Sequence, residues 1–146
     1  MWRAEPSRGF TLVEAVVVTA VLAVLAALAW PSLASAWTRA RRSDAVLALL
    51  QLQQQQARWR AAHPRYASAD ELGAAAQSPD GHYALAVRAP AAHGVVLTAR
   101  AQGRQQADHA CATFTLEQRQ GDTLLGSATA SGAPNPDTEN RRCWGR

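Results

Sequence analysis

A carboxylate at position 14 stands inside an apolar run, and that placement carries more chemical information than any other feature of the chain. From Phe10 to Trp30 no other side chain is ionisable, while Thr11 and Thr19 can turn their hydroxyls back onto a helix backbone. An acid within a membrane-length segment costs on the order of 2.5–3.5 kcal/mol by insertion scales, so Glu14 calls for a partner. No base lies within the segment, which leaves a chain terminus or another molecule. Cys111 and Cys143 form a second set; in an oxidising compartment their default is a disulfide, with a loop closure that stabilises by roughly 3–4 kcal/mol. A third set is Arg141, Arg142 and Trp144, whose types suit phosphate contact and base stacking. The competing reading of that set, and the preferred one here, is a solvated basic face with Trp144 packed against the disulfide. His63, His82, His93 and His109 share no short paired spacing with each other or with the cysteines, so neither a metal site nor a cofactor is expected. No nucleophile has a base and an orienting third group at a recognisable spacing, and no enzyme is expected either.

The elements that must hold these residues follow from periodicity. Twenty-one residues from Phe10 to Trp30 make a helix of roughly 31 Å, enough to cross a hydrocarbon core. Pro31 should kink or locally melt it. Beyond Pro31, Ala45, Val46, Leu49, Leu50, Leu52 and Trp59 recur at steps of three and four, which predicts an amphipathic helix to about Ala62, before Pro64. The Gln51 and Gln53–Gln56 run suits a helix and needs no special role. Residues 64–80 read as loop, with a capping pattern at Ser68–Leu72 that predicts one helical turn. Alternation then predicts strands at 82–88, 94–100, 110–116 and 123–128, packing one face on the solvated half of the helix. The tail 131–136 reads as loop.

Composition agrees with one modest domain beyond an apolar helix. The 146 residues include fifteen basic ones, all arginine, and the net charge of +4 does not by itself imply nucleic acid.

The heptapeptide Arg8-Gly9-Phe10-Thr11-Leu12-Val13-Glu14 closely resembles the processing site of type IV prepilins. That resemblance implies cleavage between Gly9 and Phe10 by a prepilin peptidase and methylation of the new amino-terminal Phe10. It also implies pairing of Glu14, the fifth mature residue, with a neighbouring subunit's amine during assembly. Loss of the leader lowers the formal charge from +4 to +3. Many pilins carry a proline at the place of Pro31, where the helix loosens as subunits pack. The order of elements resembles PilE-type pilins over nearly the whole chain, with support from Tyr66–Leu72, Gly81-His82-Tyr83 and Ala110–Thr113, and from an end in Cys-Trp. The implied fold is α+β: a long amino-terminal helix packed on a three- or four-stranded antiparallel sheet with a Cys111–Cys143 loop. The implied organisation is a leader at 1–9, a membrane or filament-core segment at 10–31 and an amphipathic half at 32–62. A head at 63–146 follows, with loop 63–81, sheet 82–128 and disulfide-bounded loop 111–143. The implied function is a minor pilin in pilus assembly, stored in the bacterial inner membrane with its head in the periplasm and then moved to a cell-surface pilus. Its partners would be the peptidase, other pilin subunits and the inner-membrane assembly platform.

Three alternatives share parts of this pattern. A pseudopilin of type II secretion has the same leader and helix. Some pilins capture DNA for uptake. Residues 1–36 also fit an ordinary secretory signal, ending in Ala34-Ser35-Ala36 and releasing a soluble periplasmic domain at Trp37. Arg39, Arg41 and Arg42 beyond the apolar segment, against Arg3 and Arg8 before it, give that reading some support from charge. Glu14 behind an intact Gly-Phe-Thr-Leu-Val speaks against it.

Overall fold

The computed structural model describes residues 11–91, 94–119 and 121–146, so Gly9, Phe10 and the rest of the leader, with His93, lie outside it. Two units divide at Ala36 and Trp37. Helix α1 runs Leu12–Ala40 and begins at Thr11, whose Oγ1 accepts from the Glu14 N–H at 3.3 Å. Glu14 in the first turn also complements the helix dipole. Leu12–Trp30 has a mean hydropathy of 2.6, and Leu, Val and Trp side chains along it are open on every side. Such a surface is stable only when something apolar covers it. The Thr19 hydroxyl donates to the Ala15 and Val16 carbonyls at 3.0 and 2.9 Å, which removes a polar group from that surface.

The helix passes through Pro31 without a break. One missing N–H is a smaller perturbation than the local melting expected there, and the backbone interruption lies ten residues later, at Arg41. Around Arg41 the Asp44 N–H reaches back only three residues, donating to the Arg41 carbonyl at 3.1 Å, and Ser43 Oγ donates to the Ala40 carbonyl at 2.7 Å. Tertiary partners of Arg42 and Asp44 tighten this turn.

Helix α2 spans Arg42–Arg60 and buries Ala45, Ala48, Leu49, Leu52 and Gln56. The buried stripe is rotated from the expected one: Leu50 is 43% exposed, and a glutamine closes the stripe. Against it lies a meander of β1 (Tyr83–Ala91), β2 (Gly94–Ala101), β3 (Thr113–Arg119) and β4 (Asp122–Ala128), all antiparallel in chain order. Val95, Leu97 and Ala99 of β2 and Phe114 and Leu116 of β3 point to the helix and are fully buried. Tyr83, Phe114 and Trp144 meet edge to face at 5.7 and 5.5 Å between ring centres. The pilin α+β architecture is therefore present, with the Cys111–Cys143 bond closing the carboxy-terminal loop at a Cα separation of 5.6 Å.

Short elements complete the head. Helix α3 (Ala69–Leu72) is the anticipated turn, with a capping box between Ser68 and Glu71. A 3-10 turn at Gly103–Ala107 and helix α4 (Asp137–Cys143) had no clear periodicity to announce them.

Candidate nucleic-acid interface

Many of the arginines are already engaged. Arg42 Nε and Nη2 grip Asp108 at 2.7 and 2.9 Å, with side chains 15% and 4% exposed. Asp108 also accepts from the Cys111 N–H at 3.3 Å, so this pair ties the start of α2 to the disulfide. Beside it, the Gln105 amide donates to the Tyr83 hydroxyl at 2.9 Å, while burial pushes the Tyr83 phenol up to about 12. At the other end of α2, Trp59 and His63 stack 3.9 Å apart, Arg60 lies over Tyr66, and Arg65 lies over Trp59. Arg65 is bidentate to Glu71, and those hydrogen bonds, with one from the Ser68 N–H, hold the Glu71 carboxyl down at about 2. Arg119 is hydrogen-bonded to Glu117, and Arg142 to Glu139 at 3.3 Å. These guanidinia satisfy the protein's own carboxylates and ring faces.

The outer face of the sheet differs. Strand alternation turns Val95, Leu97, Ala99 and Ala101 inward, so Arg100 points out; Arg88 on β1 is likewise exposed. The register pairs Arg88 with Val96 and Ala84 with Arg100, four residues apart, which places the two arginines roughly 14 Å from each other along the strands. Neither has an ion pair among the described residues. Between them the face is low and uncharged, with Ala86, Thr98, Thr115 and Gly126 in register. At the Arg100 end it opens into a groove of about 640 Å³ lined by Thr98, Thr113, Thr129, Ser131, Gln106 and His109, without a carboxylate. Guanidinium, hydroxyl, amide and imidazole donors in a carboxylate-free groove suit phosphate oxygens.

The sequence model of the family described as type IV minor pilin ComP, DNA uptake sequence receptor, matches residues 31–115, more than half of the chain. The chain belongs to this minor pilin family. A second match, to the prokaryotic N-terminal methylation motif, covers residues 6–30. No curated protein matches the chain. The ComP-family match begins before Ala36 and abuts the methylation motif, so the two together leave the secretory-signal reading without support. This minor pilin is a membrane-anchored subunit, and the leader motif implies processing by a prepilin peptidase and assembly with other pilins.

The expectation that a nucleic-acid partner is unlikely is not borne out, because the matched family is described as a DNA uptake sequence receptor. The residues first chosen for contact also need revision. Trp144 is 9% exposed, packs on Phe114 and donates its indole N–H to the Gly126 carbonyl at 3.0 Å, so it has no open ring face for a base. Arg141 and Arg142 are exposed at the carboxy end of α4, where cations complement the helix dipole whatever else they do. The pilin's outer-face pair, Arg88 and Arg100, was hidden within a general count of arginines; strand alternation was the signal that could have separated it.

Proposed function

We propose that this minor pilin is matured at Gly9–Phe10, methylated on Phe10, held in the inner membrane with its head in the periplasm, and displayed on a surface filament as a DNA receptor. The family match to a DNA uptake sequence receptor carries the reading. The outward Arg88 and Arg100, with a carboxylate-free groove beside Arg100, support it. On this reading those arginines and the hydroxyl-lined groove contact the sugar–phosphate backbone, which supplies affinity and register. Glu14 pairs with the methylated amine of a neighbouring subunit, and the loss of two isolated charges in an apolar core favours the assembled state. Pro31 adapts the helix where subunits pack. The assembly platform and other pilins complete the partner set.

The test is DNA binding by the purified full-length protein in detergent as salt is raised. Affinity should fall steeply with salt, and Arg88→Ala with Arg100→Ala should flatten the log–log slope by about 2. Arg141→Ala with Arg142→Ala should leave that slope nearly unchanged. No binding even at low salt would end the receptor reading. Intact-mass and amino-terminal analysis, with and without the peptidase, tests the maturation step independently.

A further inference from the structure

We propose that a groove between α2, β4 and α4 docks a neighbouring pilin subunit, through a segment that offers an apolar side chain next to a carboxylate. This rests on family membership alone and does not depend on DNA binding. The groove measures about 430 Å³, and neither Arg88 nor Arg100 lines it. Its apolar wall includes Leu50 and Leu124, which are 43% and 57% exposed, together with Leu125. On its rim stand Arg141 and Arg146, which have no ion pair among the described residues, and no acidic side chain lines it.

The backbone that carries the two cations is held in place. The Arg146 N–H donates to the Arg141 carbonyl at 2.9 Å and the Gly145 N–H to the Arg142 carbonyl at 3.3 Å, with Gly145 at φ +70. This Schellman ending requires a left-handed residue and fixes the tail against α4. A backbone already fixed leaves only the side chains to be ordered on binding a carboxylate. Beneath the rim, Asn140 spends its Nδ2 on the Leu125 carbonyl at 2.8 Å and leaves Oδ1 without a partner.

The lining favours protein over nucleic acid. A base would meet aliphatic side chains and find no open ring to stack on, since Trp144 is only 9% exposed. A leucine-sized side chain would cover Leu50 and Leu124, while a flanking Asp or Glu would answer Arg141 and Arg146. Charge and apolarity are thus complementary to an acidic, amphipathic segment.

The experiment places Leu124→Asp, and separately Arg141→Glu with Arg146→Glu, in the full-length chain of cells that make the filament. Total protein, protein in sheared filaments and DNA binding are measured together. The expected result is a loss of at least tenfold from filaments at unchanged cellular level and unchanged DNA binding, with Arg141→Lys and Arg146→Lys largely retained. A photo-crosslinker at position 124 should join an acidic segment of a pilin, identified by mass spectrometry. Normal incorporation of both acidic variants would overturn the proposal. So would a parallel fall in DNA binding, which would make the groove a nucleic-acid contact, or a crosslink confined to lipid. A variant whose cellular level collapses is replaced in this test by the crosslinker, whose product decides alone.

Discussion

Gln56 and Ala67 exchange two hydrogen bonds: Gln56 Nε2 donates to the Ala67 carbonyl at 2.8 Å, and the Ala67 N–H donates to Gln56 Oε1 at 2.9 Å. The side-chain amide thus imitates a strand partner and fastens the loop after α2 back onto the helix. Both residues are fully buried. Gln56→Ala would leave a buried donor and acceptor unpaired, and should destabilise the fold by about 2–4 kcal/mol. Gln54→Ala, on the exposed side, should change stability by less than about 0.5 kcal/mol. Urea denaturation of the detergent-solubilised protein measures both, and equal effects would remove the special role assigned to Gln56.

Arg42 and Asp108 form a pair that is costly to break and cheap to replace. Asp108→Ala should cost about 3–5 kcal/mol, because it strands a largely buried guanidinium. Replacing both at once, by Met at 42 and Leu at 108, should restore much of that loss. The same denaturation experiment as a double-mutant cycle checks it; additive losses would show that the two side chains do not act as a pair.

Two titrations should bracket the head's stability. The Glu71 carboxyl lies at about 2 in the fold against an ordinary 4.5. A depressed acid contributes stability that is present above the ordinary value and lost as pH falls toward about 2. The loop around α3 should therefore stay resistant to proteolysis above that window and loosen through it, and Glu71→Gln should abolish the dependence. Tyr83 shifts the other way, from 10 to about 12. Its contribution is complete below 10 and declines as pH rises toward 12, a trend that Tyr83→Phe should remove.

Glu14→Ala should still be cut between Gly9 and Phe10 but should enter filaments poorly. Its position in the first turn of α1, on an otherwise apolar surface, motivates this expectation. Amino-terminal analysis reads the first step and sheared filaments the second. Wild-type incorporation of the variant would sink the pairing argument.

Legibility in the sequence followed the range over which each feature is decided. The apolar helix, the capping turn at Ser68 and the four strands are set by local periodicity. Three strands stand close to where alternation placed them, while β3 starts at Thr113, three residues later than expected. Two cysteines outside the apolar segment leave few alternatives. The interruption at Arg41 was illegible because Arg42 reaches Asp108 across 66 positions, and because Asp44 accepts from Ser78 Oγ at 2.6 Å and from the Asp80 and His82 N–H groups. Gln56 looks like its neighbours until the loop lies against it. Trp144 invited a surface role by its arginine neighbours, yet the ring packing inside the head decides its place.

The last strand has a guarded flank. The Leu125 carbonyl takes the Asn140 amide at 2.8 Å, that of Gly126 takes the Trp144 indole at 3.0 Å, and that of Ser127 takes the Asn135 N–H at 2.8 Å. All three donors lie between or just beside the bonded cysteines, so the covalent bond acts as a latch on a protective cover. In a newly made chain that has not yet oxidised, these carbonyls are an open template for strand pairing with a sibling. Thiol oxidation therefore sets a time limit: the sooner Cys111 meets Cys143, the shorter the interval in which crowded precursors can mispair.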